Sequence, residues 1–126
     1  MQGRVRGSVS TDPVTRGLYA TDASHYQITP ACVVEPADEE DVVEAIRVAH
    51  ELKVPITPRG AATSLSGQTH GQGIVLDVSR HLDAVLEVNP EQRWARVQPG
   101  VIRDRLNARL GEHGLFLAPD PATGSR

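Results

Sequence analysis

The stretch from Arg59 to Gly73 constrains this chain more than any other. Gly, Ala, Ser and Thr dominate it, and four of the chain's eleven glycines, Gly60, Gly67, Gly71 and Gly73, fall in it. Side chains that small offer no apolar face to a helix or a strand, so the stretch reads as a loop. On either side stand short apolar runs, Val54-Pro55-Ile56-Thr57-Pro58 and Gly73-Ile74-Val75-Leu76-Asp77, which read as strands.

The rest of the chain supplies a frame for that loop. Pro30 and Pro36 bracket Ala31-Cys32-Val33-Val34-Glu35, a third strand. Asp38 caps a helix over residues 39–52, whose first acids, Glu39, Glu40 and Asp41, suit the positive end of the dipole. Val42, Ile46 and Ala49, with Ala45 and Leu52 beside them, form its apolar stripe, and Pro55 stops it. Leu82 to Val88 and Arg93 to Gln98 read as two strands joined by the turn Asn89-Pro90-Glu91-Gln92. Pro99-Gly100 breaks the second, and Val101, Ile102, Leu106 and Leu110 mark a second helix ending near Gly114. Leu115-Phe116-Leu117-Ala118 is a last strand-like run. The order predicts an α+β architecture, a mixed sheet with helices packed on it. Residues 1–18 show no period and read as a flexible N-terminal arm, so the ordered unit is expected over residues 19–126.

Composition narrows the function. With 126 residues and a formal net charge of −3, the chain is one domain or part of one and has no basic face for a polyanion. Aromatics make up 3%, too few for stacking on single-stranded nucleic acid. No apolar run reaches membrane-spanning length, and a cytoplasmic location is expected. Cys32 is the only cysteine, and no two of the five histidines stand at the spacing of a helical metal site, so neither a disulfide nor a metal centre is expected. His50 near the helix end suits the dipole there.

The loop itself, Pro58-Arg59-Gly60-Ala61-Ala62-Thr63-Ser64-Leu65-Ser66-Gly67-Gln68, can present consecutive backbone N–H groups to an anion, with Thr63 and Ser64 as hydroxyl donors and Arg59 as charge. A flexible surface loop fits the same residues. Lys53, the one lysine, precedes Val54, which excludes a Walker A motif. Gly71-Gln72-Gly73 enters a strand, which excludes a dinucleotide fingerprint. Thr63 stands where a hydrolase elbow needs its first glycine, which counts against a nucleophilic Ser64 or Ser66. Two further turns could meet a ligand: Pro99-Gly100-Val101, and Pro119-Asp120-Pro121-Ala122-Thr123 with two stiffening prolines.

In this order the loop, Asp77 after its apolar strand, Gln98-Pro99-Gly100-Val101 and the Pro119 to Thr123 segment resemble the FAD-linked oxidase family. That family has the FAD-binding fold of vanillyl-alcohol oxidase and p-cresol methylhydroxylase. The nearest types are the glycolate oxidase flavin subunit, D-lactate dehydrogenase and D-2-hydroxyglutarate dehydrogenase. The resemblance spans about residues 19–126 and implies the first subdomain of an FAD-binding domain, an incomplete N-terminal fragment. It implies that Pro58, Arg59, Gly60, Ala61, Ala62, Thr63, Ser64, Gly67 and Gln68 wrap the FAD pyrophosphate. Pro99, Gly100 and Val101 would lie near the flavin, and Pro119, Asp120, Pro121 and Thr123 would approach from the other side. Thr63 occupies the position of the histidine that links FAD covalently in some members, so non-covalent FAD is implied. Members usually carry glycine at the position of Ala62, whose methyl restricts the backbone.

A parent oxidising a 2-hydroxy acid is implied, with the substrate met by a missing domain and with an iron–sulfur region in the same or a partner chain. The latter would allow peripheral membrane association through a partner. The alternative is a non-catalytic nucleotide- or protein-binding module of the same fold. A partial domain is also expected to leave an apolar patch uncovered and prone to self-association.

Overall fold

The computed structural model describes residues 1–126. A four-stranded sheet has the order β1-β2-β4-β3, from β1 (Ser8–Ser10), β2 (Cys32–Glu35), β4 (Ile74–Asp77) and β3 (Ile56–Arg59). β4 lies parallel to both β2 and β3, and β1 is antiparallel to β2. The apolar run of β4 follows from this place, because a central parallel strand is covered on both faces and all its residues are buried. Pro58 is tolerated because β3 is an edge strand, where one missing N–H faces no partner.

Helix α2 (Glu39–Leu52) starts on Asp38, whose carboxylate accepts the Asp41 N–H at 3.1 Å, and ends on Lys53 in the left-handed region. The boundaries match the reading of the sequence, but the buried stripe does not. Ala45, Val48 and Ala49 are buried, while Ile46 and Leu52 are 50% and 67% exposed. The helix is turned so that two alanines face the sheet and let it approach. Ala45 and Ala49 join Val34, Ile74, Leu76, Val78 and Leu82 in one core.

Residues 1–18 are not a structureless arm. Besides β1 they form α1 (Pro13–Leu18), capped by the Asp12 carboxylate. These elements are short and held by distant partners, so they leave no period. Arg4 pairs with Glu44 and Glu51, and Arg6 with Asp38 and Glu40. Buried Asp41 accepts the backbone N–H groups of Arg6 and Gly7 at 2.8 Å and of Ala37 at 2.9 Å.

Burial alone would push the Asp41 carboxyl up, but these N–H donors and Arg6 outweigh it and hold the group below the usual range. A depressed folded pKa gives stability that is present above the unfolded value and is lost as pH falls through the folded one. Asp41→Ala is expected to cost about 2 kcal/mol at neutral pH, because three part-buried N–H groups lose their acceptor. Urea unfolding at pH 7 and again at pH 3 checks both points: the gap between native and variant should narrow in acid.

β5 (Val85–Asn89) and β6 (Trp94–Val97) form a separate antiparallel hairpin, and Gln92 N–H donates to Asn89 Oδ1 across its turn at 2.9 Å. Helix α3 (Arg103–Gly111) is shorter than expected. Leu115 to Ala118 form no strand, since no neighbouring strand pairs with them; Leu117 N–H donates instead to Asn107 Oδ1 at 2.7 Å. The expected apolar patch is present as a groove of about 600 Å³ between β6 and α3, lined by Trp94, Val97, Leu106, Leu110, Phe116 and Leu117. No helix is long and apolar enough to cross a membrane.

Candidate functional site

The register pairs Arg59 of β3 with Asp77 of β4, so the glycine-rich loop and Asp77 leave the sheet side by side at the carboxyl ends of parallel strands. That is where open parallel sheets place their ligand crevices. A cavity of about 630 Å³ opens there. Arg59, Gly60, Ala61 and Ala62 form one wall, and Pro99, Gly100 and Val101 form another. The two turns that the sequence singled out separately are thus brought together.

Gly100 explains how the second wall is fixed. Its N–H donates to Leu82 O at 2.8 Å, and a Cβ there would fall 2.5 Å from Val78 O and 2.8 Å from Leu82 O. Only glycine lets this turn lie against the chain leaving β4. Gly60 is the opposite case, because a Cβ built on it meets nothing within 4 Å. Ala62 takes φ 58°, the left-handed region. Glycine would adopt that backbone freely, whereas the methyl costs about 1–2 kcal/mol. The expectation that Ala62 restricts the backbone therefore meets a real constraint.

Ser79, Arg80, Arg105 and Arg126 line the cavity and escaped the sequence reading, while Tyr19 and Asp77 line it without having been expected as site residues. Buried Asp77 accepts the Tyr19 hydroxyl at 2.5 Å and the Ser79 N–H and hydroxyl at 2.9 and 2.6 Å. The Tyr19 hydroxyl also lies 3.2 Å from Glu35 Oε1. Its burial, then the bond to Asp77, pushes its pKa well above the usual tyrosine value. One signal for this group was in the sequence: a carboxylate ending an otherwise apolar strand.

Other expected residues lie apart. The Ser64 hydroxyl donates to Gln68 Oε1 at 2.7 Å and accepts the Ser66 and Gln68 N–H groups, closing a small turn beyond the cavity. Gly67, at φ 74°, packs on the Tyr26 ring, and Thr63 does not line the cavity. Of the Pro119 to Thr123 segment, Asp120 pairs with Arg103 at 2.9 Å and none reaches the cavity. Beside Arg59, whose guanidinium is taken by backbone carbonyls, the cavity walls carry Arg80, Arg105 and Arg126 against Asp77 and Asp83, a positive excess that suits an anion.

The sequence pattern of the family described as FAD binding domain matches residues 30–126. The chain belongs to this family. Such a domain takes FAD, and the cavity residues are compatible with it: a Cβ on Gly60 would meet nothing within 4 Å, and Arg80, Arg105 and Arg126 line the walls. D-2-hydroxyglutarate dehydrogenase of Pseudomonas putida is 46% identical over 124 residues, which is 96% of this chain and 12% of that protein. Glycolate oxidase subunit GlcD of Escherichia coli is 39% identical over 102 residues, 79% of this chain and 20% of that one. This FAD-binding domain also shares its fold with an alkyldihydroxyacetonephosphate synthase, at a TM-score of 0.79 and 22% identity, over 93% of this chain and 24% of that one. The chain thus spans a small part of the relatives it matches, and the expected family resemblance and fold hold.

Proposed function

We propose that this chain is the pyrophosphate-anchoring part of the FAD domain in an oxidoreductase acting on a 2-hydroxy acid. The observation that carries this is the cavity at the carboxyl ends of β3 and β4, where open space at Gly60 adjoins the Pro99 to Val101 turn. Backbone N–H groups from Gly60 to Ala62 hold the diphosphate, and Arg80 and Arg105 add charge at its edge. Asp77, locked by Tyr19 and Ser79, keeps the strand end in place. The FAD is bound without a covalent link, since Thr63 offers no nucleophilic ring nitrogen. Residues 1–18 belong to the same folded unit as residues 19–126. The assignment of Pro119, Asp120, Pro121 and Thr123 to the cofactor's other side rests on the family resemblance alone.

FAD held here would supply the hydride acceptor for the carbon that bears the hydroxyl, so that a 2-hydroxy acid would leave as a 2-oxo acid. The residues that orient that acid and take its hydroxyl proton, and any iron–sulfur centre, lie outside this segment. The names of the two relatives support the substrate class. The test is anaerobic addition of a panel of 2-hydroxy acids to the parent protein. Bleaching of the flavin absorption by one or more of them is expected. A colourless parent, or a flavin that none of them reduces, overturns the reading.

A further inference from the structure

Arg59 lines the cavity, yet its guanidinium is already engaged. Nη1 donates to Thr21 O at 2.8 Å and lies 3.4 Å from both Tyr19 O and Thr69 O. The guanidinium carbon lies 4.9 Å from the centre of the Tyr19 ring, in cation–π contact. These partners come from two segments: Tyr19 and Thr21 lead out of α1, and Thr69 closes the glycine-rich loop. Arg59 itself sits where that loop begins.

The segment Tyr19 to Ile28 is a strap laid over the loop. Ala23 N–H donates to Ala62 O at 3.0 Å, and the Thr69 hydroxyl donates to Asp22 Oδ2 at 2.9 Å. Thr21 and Gln27 bridge the strap to itself, and the Tyr26 ring packs on Gly67. His70 is buried at the loop's end with both ring nitrogens unpartnered, its Nε2 3.7 Å from Asp22 Oδ1. A loop of small residues has little packing of its own, so its order must come from outside.

We infer that Arg59 is a positioning residue, the clasp that fastens the strap and both ends of the glycine-rich loop so that the loop's N–H groups are aimed before the diphosphate arrives. The inference rests on the proposed FAD site for its functional meaning. It separates Arg59 from the cavity's other arginines: its contribution to affinity is preorganisation rather than charge. A planar fork stacked on a ring is not reproduced by the point charge of lysine.

The test compares the native chain with Arg59→Lys, Arg59→Gln and Tyr19→Leu, the last removing the platform while keeping the arginine. Amide hydrogen exchange is followed without flavin. Exchange over residues 60–69 is expected to quicken about tenfold or more in all three, while in the two Arg59 variants β2 and β4 keep their protection and the melting temperature moves little; Tyr19→Leu also loses the hydroxyl bound to Asp77 and melts lower. FAD affinity should fall by similar factors in Arg59→Lys and Arg59→Gln. Its dependence on salt should stay that of the native chain in Arg59→Lys, which keeps the charge. Native-like affinity in Arg59→Lys with loss in Arg59→Gln, unchanged loop exchange, or global unfolding of the variants would each overturn the clasp. If the native chain takes up no flavin, the proposed site fails while the exchange result still decides the clasp.

Discussion

Gly100→Ala is expected to destabilise the chain by about 3 kcal/mol, the upper end of what overpacking costs. The added methyl would meet two backbone carbonyls, Val78 O at 2.5 Å and Leu82 O at 2.8 Å. Neither can swing aside as a side-chain tip could. Val78 and Leu82 are core residues, so moving either carbonyl disturbs the packing under α2. Alternatively the turn lifts and the Gly100 N–H loses Leu82 O. That lift would also displace one wall of the cavity. The variant should therefore lose stability and flavin affinity together. Gly60→Ala is the control: with nothing within 4 Å of the new methyl, its stability should change by less than about 0.5 kcal/mol. Urea denaturation of the two variants beside the native chain reads the contrast.

Gly60→Asp is expected to have the larger effect on function and almost none on folding. Its side chain enters open space at the cavity rim, so no backbone must move. What it adds is a carboxylate where the proposal puts a diphosphate. Like charges about 5 Å apart at an effective dielectric of about 20 repel by about 3 kcal/mol. That is a loss of affinity on the order of a hundredfold. An unchanged melting temperature beside that loss would place the effect at the ligand.

How much of this was legible depended on whether a feature was local. Helix α2 could be bounded at both ends because Asp38 and Pro55 act within a turn of the helix. Its buried face could not, because the facing sheet selects small Ala45 and Ala49 over the more hydrophobic Ile46. β1 and α1 were invisible for the same reason. Ser8–Ser10 has no strand pattern of its own and exists through its pairing with β2, and Asp41, more than thirty residues away, holds Arg6 and Gly7. Leu115 to Ala118 had a strand's composition but found no partner strand.

The site divides along the same line. The glycine-rich loop and the Pro99-Gly100 turn announce themselves by composition, and the fold sets them across one cavity. Ser79 meets Asp77 through a local turn two residues on, whereas Tyr19 reaches it from 58 residues earlier, a contact only the folded chain reveals. Arg59 was legible as a charge near a phosphate loop. Its engagement by three carbonyls was not, because those carbonyls belong to a segment forty residues earlier and to the far end of the loop.

We propose that residues 59–62 hold the diphosphate, with the Pro99 to Val101 turn as the facing wall. Calorimetric titration of FAD into the native chain, beside Gly60→Ala and Gly60→Asp, tests it most directly. Saturable binding by the native chain and Gly60→Ala, with binding weakened about a hundredfold or lost in Gly60→Asp, is the predicted result. No heat with the native chain, or equal affinity in Gly60→Asp, would contradict it.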